Sequence, residues 1–191
     1  MSKPRIVFWV VLALPGIAAF AQLTSGANPG DLLHGSGESS ARLMIIALLL
    51  TPLRLLFPNV RVLTWLRQHR RDLGIAAFAY ALLHTVLYLF DKGALSAVVA
   101  ELGAIGIWTG WAALAIFIPL AFTSNDLSAR RLGPNWRALH RTAYIAAVLT
   151  LVHWIYVQNN IAPALVHFVP LAGLEIYRVL RARQDRRQSQ A

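Results

Sequence analysis

Six apolar runs, each close to the length needed to cross a bilayer, occupy most of this 191-residue chain. They cover residues 6–23, 42–57, 73–90, 102–122, 139–157 and 161–180. A helix spanning the ~30 Å hydrocarbon core needs about 20 mainly apolar residues, with about 17 to 25 tolerated. Lipid offers the backbone no hydrogen-bond partners, so runs of this length are expected as helices and not as strands. The chain is therefore expected to be an all-α integral membrane protein, a six-transmembrane-helix bundle forming one domain over residues 1–191. Pro52 and Arg54 shorten the apolar part of the second run, although an arginine near a helix end can extend to the interface. The first run follows Lys3 and Arg5 and ends near Ala19-Phe20-Ala21, as a cleavable leader would. Its length and the spans that follow it favour a retained helix.

A net charge of +10 would suggest nucleic acid if it covered a folded surface. The basic residues sit instead in short clusters between apolar runs, which points to membrane orientation and to no nucleic-acid partner. With the N-terminus in the cytoplasm, the inner segments hold Lys3 and Arg5; Arg54, Arg61, Arg67, Arg70 and Arg71; Arg130, Arg131, Arg137 and Arg141; and Arg178, Arg181, Arg183, Arg186 and Arg187. Only Arg42 and Lys92 fall on the other side. This asymmetry puts both termini in the cytoplasm. Residues 24–41, with Gly26, Asn28, Pro29 and Gly30, are expected as a long outer loop, and 91–101 and 158–160 as shorter ones. The basic stretch 178–187 reads as a stop signal in contact with anionic membrane lipid. There is no cysteine, which excludes disulfides, thiolate metal sites and covalently attached haem.

Histidine carries the chemistry. His84, His140 and His153 lie in or at the edge of apolar runs, where an imidazole must find a hydrogen bond, a charge or a metal. His84 is about a dozen residues into the third run, hence ~18 Å along it, and His153 reaches a similar depth in the fifth. Two neutral imidazoles from facing helices supply both axial positions of a haem, and six-coordinate iron suits electron transfer. The other reading is that each histidine bonds a neighbouring helix. His140 precedes His153 by ~20 Å of helix and ~140° of ideal rotation, so a shared face would need a kink. Thirteen residues before His84 stands Arg71 rather than a histidine. The pattern therefore offers one complete bis-histidine site and one incomplete site at His140, which can serve a further haem, its propionates, a flavin or a quinone, or only the fold. His34 is expected as a solvated loop residue or a propionate or quinone contact, and His167 as a residue bonded within the bundle.

Around Arg70, Arg71, Arg131, Trp136 and Arg137, guanidinium groups and an aromatic face can clamp haem propionates, a flavin or a quinone. Positive-inside topology alone is the simpler account of them. No phosphate-binding glycine fingerprint is present, so electrons must come from another protein or a membrane carrier. Asp126 and Glu175 are weaker candidates.

A set of short motifs runs along nearly the whole chain: Leu50-Thr51-Pro52-Leu53-Arg54, Arg70-Arg71-Asp72-Leu73-Gly74, Leu83-His84, Leu120-Ala121-Phe122-Thr123-Ser124, Arg131-Leu132-Gly133 through Trp136, Leu139-His140, Tyr144 and Val152-His153-Trp154. In order and spacing the chain resembles the haem-binding membrane subunits of bacterial methionine sulfoxide reductase systems, within the ferric-reductase-like transmembrane family. The resemblance implies an inner-membrane b-type cytochrome associated with haem b and FMN. It implies electrons taken from the quinone pool or a cytosolic flavin reductase and delivered to the periplasmic molybdopterin reductase MsrP, which holds the substrate-reducing site. By motif position His84 and His153 carry over as haem ligands, with His140 as a further candidate. Members of the wider family with four histidine ligands have two on the third span, where this chain has one. Two other functions remain open on the residues: a stand-alone ferric or quinone reductase, and a haem-free transporter or scaffold.

Overall fold

The structure is a computed structural model that describes residues 3–188. Among the described residues ten helices follow one another and no strand forms: α1 (Lys3–Thr24), α2 (Pro29–Leu56), α3 (Arg61–Gln68), α4 (Arg70–Lys92), α5 (Leu95–Glu101), α6 (Ile105–Phe122), α7 (Asp126–Leu132), α8 (Pro134–Arg141), α9 (Ala143–Gln158) and α10 (Ile161–Gln188). Five of them, α1, α2, α4, α6 and α10, are long and apolar enough to cross a membrane.

Several expected boundaries are corrected. The outer loop expected over 24–41 shrinks to a turn, because α2 begins at Pro29 and runs for 28 residues. Proline at the first helical position and Asp31 in the first turn suit a helix start. The serines of this stretch turn their hydroxyls onto backbone carbonyls: Ser36 donates to Leu32 and Leu33, and Ser40 to Ala77 on α4 at 2.8 Å. His34 is consequently a helical residue. The fifth run, expected as one helix over 139–157, is two. Gly133 (φ +52°) and Pro134 start α8, and the chain breaks at Thr142 before α9. The kink that a shared face for His140 and His153 would require thus exists, although the two rings face different cavities. Residues 102–104 form a turn, so the fourth run starts at Ile105, and the outer stretch before it contains α5. Residues 178–187 continue α10 as helix.

The core is built from close helix approach. Helices α2 and α4 form one extensive pair, α6 and α9 another, and α10 closes against α2. Ala41, Ala77, Ala146 and Ala164 are buried where these helices meet, as expected when helices in lipid associate through tight van der Waals packing. Large apolar side chains such as Val10, Phe90, Phe122 and Val166 point outward, the arrangement a lipid solvent favours.

Helix α1 buries no residue and is held by two polar contacts with α4. The Arg5 guanidinium donates to both oxygens of Asp72, at 2.9 and 2.7 Å. Higher up, the Tyr80 hydroxyl donates to the Leu12 carbonyl at 2.7 Å and accepts from Gly16 N–H at 2.9 Å. It stands between the two ends of what would be a direct i→i+4 bond, next to Pro15, where the ladder already lacks a donor.

Candidate functional site

The two helix pairs present one histidine each to the space between them. His84 comes from α4 and His153 from α9, and their ring centroids lie 5.9 Å apart with planes at 85°. Each ring is tied at Nδ1 to a backbone carbonyl of the partner helix: His84 to Leu33 at 3.0 Å, His153 to Gly106 at 2.6 Å. A carbonyl only accepts, so Nδ1 carries the hydrogen and Nε2 keeps its lone pair. Ser36 Oγ stands 3.4 Å from the same His84 nitrogen.

One turn beyond each accepting carbonyl stands a glycine. A Cβ at Gly37 would lie 3.0 Å from His84 Nδ1, and one at Gly110 only 2.6 Å from His153 Nδ1. Both pairs therefore use the same device, a carbonyl at position i and an absent side chain at i+4. Residues i and i+4 share a helix face, so one face both binds the ring and makes room for it.

The histidines border a cavity of about 470 Å³, within the range of small-molecule and cofactor sites. Ala41, Ile107, Trp111, Ala113 and Leu114 give it apolar walls, and His34, Glu38, Tyr88, Lys92, Glu101 and Gln158 a polar lining. Lys92 and the Tyr88 hydroxyl both donate to Glu101, and the bond from Lys92 is the main reason the Glu101 carboxyl sits below its usual range. Beside this rim, Arg42 joins Glu38 of α2 to His167 of α10, while Gln158 of α9 contacts His34. The indole N–H of Trp154, a residue 5% exposed and on the cavity wall, has no hydrogen-bond partner among the described residues.

The donor set narrows the guest. Among the described residues no group of three or more His, Asp or Glu side chains could hold a metal ion. Two neutral imidazoles with ring centroids 5.9 Å apart suit a metal that brings its own equatorial donors. With metal–imidazole bonds of about 2 Å, ring centroids on either side of one metal stand roughly 6 Å apart, close to the separation found. The residues present fit a haem.

A second, smaller cavity of about 180 Å³ gathers Arg70, Arg71, Trp136, His140 and Tyr144 against Phe78 and Phe117. His140 stacks on Trp136 (4.0 Å, 25°) and meets the Thr123 hydroxyl at 3.0 Å. Trp136 is fixed by its indole N–H to the Thr123 carbonyl at 2.8 Å and lies under the Arg71 guanidinium, 5.3 Å from the ring centroid. Arg71 also pairs with Asp126 and holds that carboxyl below its usual range. Arg131 and Arg137 are exposed and line neither cavity, so they do not join the cluster expected around Arg70 and Arg71. Among the described residues that line this cavity, His140 is the one imidazole.

Sequence reading missed Gly37 and the carbonyls of Leu33 and Gly106. Gly106 and Gly110 lie in the fourth apolar run, and the equivalent spacing at Leu33 and Gly37 lies in the stretch expected as a loop. The repeated spacing from carbonyl to glycine was the available signal.

Residues 36–151 match the family model described as the ferric reductase like transmembrane component. The matched region holds Gly37, His84, Gly110 and His140, and stops just before His153. A curated relative from Agrobacterium fabrum, the "Protein-methionine-sulfoxide reductase heme-binding subunit MsrQ", is 35% identical over 181 residues, which are 91% of this chain and 82% of the relative. The chain belongs to the MsrQ family. MsrQ relatives from Rhizobium meliloti and Brucella ovis are 36% and 37% identical, over 89% and 82% of this chain and 80% and 71% of theirs. No solved structure matches this MsrQ-family chain.

Proposed function

We propose that this chain is the haem-carrying electron conduit of a methionine sulfoxide reductase system in the bacterial inner membrane. The observation that carries the reading is the pair of imidazoles 5.9 Å apart on the border of one cavity, each with Nδ1 tied back to a backbone carbonyl so that Nε2 keeps its lone pair. His84 and His153 are assigned as the axial ligands of haem b. When bound, haem b supplies a one-electron iron couple, and two imidazoles fill the positions that oxygen would otherwise take. The chain's own part is to hold the ligands neutral, fix their rotation through backbone carbonyls, and keep the surroundings dry with Trp111, Ala113 and Leu114.

The topology supporting this role has six crossings and both termini in the cytoplasm. Five crossings are α1, α2, α4, α6 and α10, and the sixth is α9, lengthened on its inner side by α8. The arginine distribution favours this orientation. It places the second cavity towards the cytoplasm, where Arg70 and Arg71 offer charge and Trp136 and His140 offer flat faces. These four residues are assigned to the electron-entry side, in contact with FMN or a quinone, with the quinone pool or a cytosolic flavin reductase as the source. The rim of the larger cavity faces the periplasm, where the molybdopterin enzyme MsrP takes electrons for repair of methionine sulfoxide. This division of labour leaves the substrate-reducing chemistry on the partner.

The test is ligand replacement. His84→Ala and His153→Ala, each purified from haem-replete cells, are expected to lose the low-spin absorption bands of the dithionite-reduced protein, with the pyridine haemochrome giving the haem content. Retention of those bands in both variants rejects the assignment.

A further inference from the structure

We propose that Gly37 and Gly110 are positioning residues which, with the carbonyls of Leu33 and Gly106, hold the imidazoles of His84 and His153 crossed and so set the electronic state of an iron bound between them. The inference rests on the haem site proposed above and concerns how this chain orients its ligands.

An imidazole on a flexible side chain can turn about its metal–nitrogen axis, and nothing in axial ligation itself chooses the angle. Here the angle is chosen twice, independently. His84 is tied to Leu33 on α2, and His153 to Gly106 on α6. The two ties belong to different helix pairs, α2 with α4 and α6 with α9, and they leave the ring planes at 85°. The glycines permit it. Each stands where an added Cβ would press on the Nδ1 edge, and the approach is closer at Gly110, 2.6 Å against 3.0 Å at Gly37. An alanine at either place pushes the ring off its carbonyl and removes the restraint on rotation.

Ring orientation matters because an imidazole's π electrons interact with the one iron d orbital that projects perpendicular to its ring. Coplanar rings act on the same orbital, split the pair, and stabilise the ferric state. Crossed rings act on one orbital each and leave the pair nearly degenerate. Ferric iron in the crossed geometry therefore has a highly anisotropic low-spin resonance, dominated by a single low-field feature. Its reduction potential lies above that of the same iron with coplanar ligands, in keeping with the control that the surroundings of axial ligands exert over potential.

The experiment uses the purified full chain with haem bound and reads the low-temperature electron paramagnetic resonance spectrum, the potentiometric midpoint and the haem content. Wild-type protein should show the single low-field feature. Gly110→Ala should convert it towards a three-line rhombic spectrum and lower the midpoint, or lose haem. Gly37→Ala should change it in the same direction by less. Gly35→Ala, on the same helix with nothing within 4 Å of the added Cβ, should match wild type in every readout, so that loss of haem at Gly110 marks ring displacement and not a general effect of alanine in a helix. A rhombic wild-type spectrum with haem bound overturns the crossed arrangement and leaves the haem site standing. Wild-type spectra retained in both Gly37→Ala and Gly110→Ala overturn the role of the glycines. Wild-type protein without haem overturns the reading beneath.

Discussion

Trp136 links Thr123, His140 and Arg71 at the inner cavity, and the cost of its removal follows from those three contacts. Its indole N–H bonds the Thr123 carbonyl at 2.8 Å, worth about 1 kcal/mol net. Its stack on His140 at 4.0 Å and 25° contributes about another 1 kcal/mol. The Arg71 guanidinium at 5.3 Å contributes about 0.5 kcal/mol, because a partly exposed cation over a ring is weakly held. Trp136→Ala should therefore cost about 2.5 kcal/mol, below the roughly 3–5 kcal/mol typical of a fully buried tryptophan. For a domain of this size that lowers the melting temperature by roughly 5–10 °C. Trp136→Phe keeps an aromatic face for His140 and Arg71 and loses the N–H bond, about 1 kcal/mol. Thermal melting of the purified variants in one detergent measures the difference. The low-spin bands assigned to His84 and His153 should persist in both, while reduction by a reduced flavin slows more in the alanine variant. Equal melting losses in the two variants would refute the stacking argument.

Two further outcomes follow from contacts at the edges of the bundle. Arg5→Ala leaves the Asp72 carboxylate, whose side chain is 3% exposed, without its cation, and should lower the melting temperature, by less than loss of a fully buried pair would because Arg5 itself is half-exposed. Adding Asp72→Asn should recover part of that loss in a double-mutant cycle read by thermal melting, and a strictly additive cycle would reject the pair. At Glu101, which Lys92 and then Tyr88 hold below the usual carboxyl range, the folded pKa is depressed, so the contact stabilises fully above the unfolded value of about 4.3 and fades as pH falls through the folded one. Glu101→Gln should thus melt lower than wild type at neutral pH, with the gap closing below about pH 4; a gap that persists in acid would contradict the ion pair.

How much of the site was legible depended on which side chains act through their own chemistry. His84 and His153 stood out because an imidazole in an apolar run is costly unless bonded, and equal depth on two runs brought them together. Arg70, Arg71 and Trp136 stood out as guanidinium groups beside an aromatic face, and with His140 they do line one cavity. Arg131 and Arg137 have the same composition signal, yet both are exposed, because α8 turns Trp136 and His140 towards the cavity and α7 contributes none of its lining. Residues 29–41 misled in the opposite sense. Their serines and glycines look like loop until the partner helix supplies carbonyls and close approach.

From the sequence alone came the medium and the candidate ligands: apolar run lengths demand helices in lipid, the arginines favour an orientation, and His84 and His153 fall at one level. What only the tertiary structure decided is how those imidazoles are held. The rings are aimed by carbonyls 51 and 47 residues away in the chain and given room by two glycines that have no side chain to announce themselves. Hydrogen bonds to backbone carry no residue identity, and an absent Cβ matters only when another helix arrives to use the space.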